Sequence, residues 1–217
     1  MSGNPDGSVR AGQVLLNVHD TCRCTSVLGP GKRYAIWVQG CLRNCAGCGT
    51  PEAQPTGINH LVDVAELAED ILAQPQIEGI TISGGEPFLQ AKALAELVRL
   101  LRSQRDLGVI VFTGYYLQEL RELDDEYICD LLDCADLLID GPFLDEKNDS
   151  SGLRGSANQT MCYLTDRYRD YYAALEYGTR KLEITRSQII GIKPKDFDKS
   201  VQKAFAKLLN KKLIANR

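Results

Sequence analysis

The sequence predicts an α/β protein, a parallel β-sheet covered by helices. Three observations carry this expectation. Short runs of β-forming apolar residues alternate with segments of helical period between about residues 34 and 140. The runs are apolar throughout, as strands buried on both faces must be. Unusual glycine-containing motifs follow four of these runs, where α/β folds carry their chemistry, just past the carboxyl ends of the strands.

In chain order, residues 13–19 (QVLLNVH) read as a strand, and Gly29, Pro30 and Gly31 mark a turn. Residues 34–39 (YAIWVQ) form a buried strand that ends at Cys41 and a cysteine-rich loop. Pro51, Pro55 and Gly57 continue that loop. Asp63 to Ala73 reads as a helix, with Val64, Leu67, Ala68, Ile71 and Leu72 on one face. Residues 79–82 form a strand ending in Ser83-Gly84-Gly85-Glu86-Pro87. A helix from about Leu89 to Ser103 follows, with Leu94, Leu97, Val98 and Leu101 in register. Residues 108–112 (GVIVF) form a strand ending in Thr113-Gly114-Tyr115, and a helical stretch covers about 117–134 in two pieces. Residues 136–139 (DLLI) form the last strand of the repeat, ending at Asp140-Gly141-Pro142.

After residue 142 the pattern changes. DEKNDSSGLRGSANQ is polar and suits a loop over the active face. Residues 160–164, 181–185 and 188–192 read as short strands. Residues 198–213 read as a helix with Val201, Ala204, Phe205, Leu208 and Leu209 on one face and lysines on the other. The expected organisation is a core over 1–165 and an extension over 166–217 that ends in this basic amphipathic helix.

The bulk numbers fit a globular chain: 217 residues, 44% hydrophobic and 25% charged. No run of eighteen apolar residues is present, and the first twelve residues lack the apolar core of a secretory signal. The expectations are no membrane contact and a cytoplasmic location. The net charge of −4 is unevenly spread. Residues 193–217 carry eight basic and two acidic side chains, a net of +6, which leaves −10 for the rest. A basic tail suits a solvated helix face or an acidic partner surface, and nucleic acid less well.

Eight cysteines without an export signal point to metal or redox use rather than disulfides. The central motif is GCLRNCAGCG, in which Cys41, Cys45 and Cys48 have the spacing C-x3-C-x2-C. Three thiolates on one loop can each hold a corner of a 4Fe-4S cubane. An ordinary electron-transfer cubane needs four cysteine ligands. With three, one iron stays open to the amino and carboxylate groups of S-adenosylmethionine (SAM). Reductive cleavage of SAM would then yield a 5′-deoxyadenosyl radical that abstracts hydrogen, with the protein positioning the cofactors. Two other readings stand beside this one. Zinc could take the three cysteines with His60. An electron-transfer cluster could recruit Cys22 or Cys24 as fourth ligand.

The second motif, Ser83-Gly84-Gly85-Glu86-Pro87, has its own rationale. Two glycines let backbone approach a ligand closely, and Glu86 or nearby carbonyls can accept from the SAM ammonium group. Cysteine triplet and Gly-Gly-Glu-Pro stretch, in this order, resemble the radical SAM superfamily. GPGKR, GCLRNCAGC, SGGEP, FTGYY, LLIDGPF and RGSANQ together are similar to the small activating proteins of anaerobic ribonucleotide reductase, over residues 14 to about 162. The resemblance implies a partial (β/α) TIM-like barrel of the radical SAM type with a C-terminal strand and helix extension. It also implies SAM contacts at Gly47, Cys48, Gly49, Ser83, Gly84, Gly85 and Glu86, with Thr113 and Asp140 as candidates for ribose or methionine contacts.

Gly49 departs from that family, which usually carries a larger or aromatic residue there. Adenine stacking would then come from elsewhere, with Tyr115 a candidate. Cys22 and Cys24 lie outside the pattern and read as structural, while Cys129, Cys134 and Cys162 read as small core residues. Arg154 and Asn158 are expected to bind SAM or a partner, or to order their loop. The resemblance implies an activase that stores a glycyl radical on a partner enzyme, fed electrons by flavodoxin or ferredoxin. Radical modification of a peptide or small molecule, and a non-enzymatic iron–sulfur sensor or scaffold, are the competing functions.

Overall fold

The computed structural model describes residues 13–185, 188–193 and 195. The expected helix over 198–213, and the basic tail beyond Lys195, lie outside the described residues. Strands β1 (Leu15–Thr25), β2 (Arg33–Val38), β3 (His60–Asp63), β4 (Gly79–Gly84), β5 (Gly108–Phe112), β6 (Leu137–Asp140) and β7 (Thr160–Tyr163) form one sheet in the order β3-β1-β2-β4-β5-β6-β7. The four central strands, β2, β4, β5 and β6, are parallel. Both edges are antiparallel: β1 on β2, β3 on β1, and β7 on β6. The sheet is therefore mixed, where the alternation of segments predicts a parallel one.

Helices α1 (Val64–Leu72), α2 (Ala91–Gln104), α3 (Leu117–Glu122) and α4 (Glu126–Cys134) provide the crossovers. Asp63 caps α1 by accepting from the Ala65 and Glu66 amides, so the expected helix start is a cap on the end of a strand. Side chains alternate across the sheet. Tyr34, Ile36 and Val38 of β2, Ile80 and Ile82 of β4, and Val109 and Val111 of β5 pack with Leu67, Ile71, Leu94, Leu97, Leu101 and Leu131 of the helices.

The opposite face is covered mostly by chain after residue 142, with Leu28 from the turn after β1. Ile110, Leu137 and Ile139 meet Leu153, Met161, Tyr168 and Leu175, while Cys22 and Ala35 meet Leu28 and Ile190. Helix α5 (Tyr172–Tyr177) and a separate hairpin of β8 (Glu183–Ile184) and β9 (Ile189–Ile190) belong to this layer. At the amino end of β2, Arg33 is wholly buried. It donates to Thr81 Oγ1 at 2.6 Å, Tyr168 Oη at 2.7 Å and the Gly108 carbonyl at 3.1 Å. Desolvation lowers its pKa, and the Tyr168 contact opposes that shift. Among the described residues no helix is long and apolar enough to cross a membrane.

Candidate active site

The loops after β2, β4, β5 and β6 converge on one cavity of about 380 Å³ at the carboxyl edge of the parallel strands. The chain reaches this edge four times because each βα unit returns it there, and ligand sites collect at such edges for that reason. Cys41, Cys45, Gly47, Cys48 and Gly49 line it from the first loop, and Ser83, Gly84, Gly85 and Glu86 from the second. Thr113 and Gly114 come from the third, and Gly141 and Phe143 from the fourth. Asp140 does not line the cavity. It is buried, and its carboxylate accepts from the Leu117 amide at 2.8 Å and the Thr160 amide at 3.2 Å.

The cysteine loop is pinned at its root. The Gly40 amide donates to the Ala53 carbonyl at 2.8 Å, and the Cys41 amide to the Gln54 carbonyl at 2.9 Å. Two left-handed residues, Asn44 (φ 48°) and Gly47 (φ 72°), turn the chain within the loop, and all three cysteines line the cavity. None of the three is in a disulfide, and each is partly exposed. Burial raises the Cys41 pKa, while the Arg43 amide at 3.4 Å from its sulfur pulls it back. Among the described residues no three His, Cys, Asp or Glu side chains gather closely enough for one metal ion. A cubane asks for something else, one thiolate at each of three corners, and a loop that lines a cavity with three separate cysteines fits that demand.

The rival ligands lie elsewhere. His60 is exposed on the edge strand β3. Cys22 is buried in β1 with its thiol on the Cys24 carbonyl at 3.4 Å, and Cys24 is exposed; neither lines the cavity. Cys129 is exposed rather than in the core, because it falls on the outward side of α4, while Cys134 and Cys162 are half-buried against the main core.

The glycine pair meets the protein's own backbone. Gly84 has φ 105°, and a Cβ there would collide with the backbone of Val38. At Gly85 a Cβ would collide with the Gly40 carbonyl and come within 2.9 Å of the Ala53 carbonyl oxygen. The Gly85 amide donates to the Val38 carbonyl and the Glu86 amide to the Gly40 carbonyl, both at 2.7 Å. The pair thus seats β4 against the root of the cysteine loop.

Glu86 is buried and braces two loops. Its Oε1 accepts from Thr113 Oγ1 at 2.8 Å and the Phe88 amide at 3.1 Å, and its Oε2 from the Gly114 amide at 2.8 Å. Desolvation raises its pKa, and the two amides, Thr113 and the Arg43 charge pull it back. A carboxyl raised on folding stabilises most below its unfolded value, about 4.3, and that contribution is lost as pH rises through the folded value. The cluster-free protein is therefore expected to lose stability relative to Glu86→Gln as pH climbs from acid to neutral. Urea denaturation of both proteins across that range reads it, and a pH-independent difference would show that Glu86 is not shifted.

Several lining residues escaped the sequence reading. Trp37, Phe112 and Phe143 supply the aromatic walls. Strand parity points to the first two, because Trp37 and Phe112 alternate with the helix-facing residues of β2 and β5. Tyr115 does not line the cavity; its ring lies 4.2 Å from the Arg43 guanidinium. Arg154 and Asn158 order their loop. Arg154 pairs with Asp149 at 2.9 Å and Glu176 at 3.2 Å, and Asn158 donates to the Pro142 carbonyl at 2.8 Å.

Gly191, Ile192, Lys193 and Lys195 form a further wall. Arg180 fastens it: its buried guanidinium donates to Asn148 Oδ1 at 2.8 Å and to the carbonyls of Lys193 at 2.9 Å and Arg154 at 2.5 Å. Lys193 Nζ reaches the Gly49 carbonyl at 3.5 Å.

Residues 27–162 match the family model described as a 4Fe-4S single cluster domain. The chain is 32% identical over 154 residues to a putative glycyl-radical enzyme activating enzyme of Haemophilus influenzae, covering 70% of this chain and 53% of that protein. It is 33% identical over 156 residues to the anaerobic ribonucleoside-triphosphate reductase-activating protein of Vibrio cholerae, covering 67% of this chain and 97% of that protein. It is 36% identical over 93 residues to the pyruvate formate-lyase-activating enzyme of Staphylococcus epidermidis, covering 40% of this chain and 37% of that one. The chain thus spans about half the length of the first relative and nearly all of the second. Gly191, Ile192, Lys193 and Lys195 lie outside residues 27–162.

Proposed function

The chain belongs to the 4Fe-4S single cluster domain family of radical SAM enzymes, with a 4Fe-4S cluster and SAM as its cofactors, and on that premise we propose that it is a glycyl-radical-enzyme activase. The observation that carries the reading is the cavity itself. Three unpaired cysteines are the only sulfur donors among its described wall residues, at the carboxyl edge of four parallel strands. That arrangement is how we read the sheet as a partial (β/α) barrel, with residues 1–165 as the core and 166–217 as the extension.

Cys41, Cys45 and Cys48 would hold the cluster, and Gly47, Gly49, Ser83, Gly84, Gly85 and Glu86 would surround SAM. When bound, these cofactors supply the electron and the 5′-deoxyadenosyl radical that removes a hydrogen atom from the substrate. The chain's own residues do the positioning. The glycine pair fixes β4 to the root of the cysteine loop, Glu86 holds Thr113 and Gly114 in place, and Trp37, Phe112 and Phe143 keep water from the apolar side. The partner would be a glycyl-radical enzyme, and flavodoxin or ferredoxin would deliver the electron.

The test is anaerobic incubation of the reconstituted protein with SAM, a reductant and candidate partner enzymes, read by electron paramagnetic resonance. A persistent glycyl radical is expected. The wall of Gly191, Ile192, Lys193 and Lys195 also favours a second substrate class, a flexible peptide or small molecule that fits a narrowed cavity. SAM cleavage with a modified product and no stored radical would select that reading. An intact cluster that never cleaves SAM would sink both and leave a sensor or scaffold.

A further inference from the structure

Arg43 sits inside the cysteine loop, between Cys41 and Cys45, yet its side chain leaves the loop for the turn after β5. Nε donates to the Gly114 carbonyl at 2.7 Å, and Nη2 to Glu119 Oε2 at 2.7 Å. The guanidinium stacks on Tyr115 at 4.2 Å. Glu119 is itself fixed, because the same oxygen accepts from the Tyr116 amide at 2.6 Å as part of the capping box of α3. A cation held by two hydrogen bonds and a ring has little freedom to swing.

The partner peptide is held from both ends. The Gly114 carbonyl accepts from Arg43 while its amide donates to Glu86 at 2.8 Å. Glycine at 114 allows this close approach, since a Cβ there would come within 2.8 Å of Arg43 Cγ. A continuous polar path therefore runs from the cysteine loop through Arg43 and Gly114 to Glu86 at the end of β4. No salt-bridge count explains this arrangement. Arg43 and Glu119 are both partly solvated, and such a pair contributes little to stability.

We propose that Arg43 is a positioning residue that locks the cysteine loop to the turns facing SAM and, through its charge, sets the reduction potential of the cluster. The proposal rests on the three-cysteine cluster and not on the activase reading. Cluster potentials respond to nearby charge and hydrogen bonding, and a fixed cation favours the added electron. Glu119 partly offsets that cation, so the two residues must act with opposite sign.

The experiment uses the full chain, reconstituted anaerobically, with iron and sulfide quantified. Redox titration followed by paramagnetic resonance compares wild type with Arg43→Met, Arg43→Lys and Glu119→Gln. At a fixed poise near the wild-type midpoint, Arg43→Met is expected to lower the reduced-to-oxidised ratio about threefold or more, and Glu119→Gln to raise it. Arg43→Lys, which keeps the charge and loses the fork, is expected to restore the ratio while altering the SAM-induced change in the resonance signal. A purely structural role would lower cluster content in all three without opposite shifts. Ratios unchanged, or moved in one direction in both Arg43→Met and Glu119→Gln, overturn the proposal. Should Arg43→Met fail to assemble a cluster, Arg43→Lys and Glu119→Gln decide it by the same criteria. Absence of any cluster in the wild-type protein would instead defeat the cluster assignment.

Discussion

Cys45→Ala, reconstituted anaerobically, is expected to bind little iron and to cleave no SAM above background, while remaining folded. Cys45 lies on a loop, partly exposed, in no disulfide and with no packing role in the sheet core. Its removal should therefore leave stability within about 0.5 kcal/mol of wild type, as for a surface substitution. Among the described residues no other cysteine lines the cavity, and Cys22 and Cys24 lie on β1 outside it. Loss of an outer-shell partner of a metal site costs roughly 10–100-fold. Loss of one of three ligands should exceed that. Iron and sulfide analysis, the cluster absorbance and 5′-deoxyadenosine formation are the measurements. A full cluster in this variant would remove Cys45 from the ligand set, and the same comparison applies to Cys41 and Cys48.

Gly85→Ala is expected to cost about 3 kcal/mol or more of folding stability, at the upper end of what overpacking does. The added methyl has no flexible neighbour to displace. It points at the carbonyls of Gly40 and Ala53, and the Ala53 carbonyl is already held by the Gly40 amide at the root of the cysteine loop. Relief would require the carboxyl ends of β2 and β4 to part, so cluster assembly should fail together with stability. Gly49→Ala is the contrast. Nothing lies within 4 Å of a Cβ there and its backbone is not left-handed, so the unfolded chain loses freedom and the folded chain loses nothing. A gain of about 0.4–1 kcal/mol is expected. Urea denaturation of the two variants beside wild type checks both, and equal stabilities at position 85 would contradict the close approach.

The site was more legible in the sequence than the edges of the fold. GVIVF and the helix following Asp63 are bounded within a residue or so of their expected limits, because buried parallel strands and amphipathic helices write their period directly into the chain. The four loops at the carboxyl ends follow from that alternation alone. Strand β3 was missed because its four residues are exposed or half-buried at an edge and run straight into the cap of α1. The true length of β1 was missed because polar residues from Asp20 onward pair with β2 through two irregularities in register. Helix α5 is only six residues long, too short to show a period. Glu86 and the glycine pair, expected at the site, line the cavity, but their contacts with the protein's own backbone depend on neighbours distant in sequence. Arg43 carried no signal at all, since a lone arginine in a loop does not announce that Gly114 and Glu119 wait for it.

The wall fastened by Arg180 has a consequence for the order of assembly. Lys193 meets the Gly49 carbonyl across 144 residues of chain, and β8 and β9 contribute only two residues each. Contacts of such long separation form late, after local ones have reduced the entropy of closing the loop. Residues 180–195 also leave the ribosome well after the cysteine loop has done so. On that order, the three cysteines would sit on an open rim until Lys193 reaches Gly49. The finished wall does not seal them, because all three cysteines remain partly exposed in the folded chain.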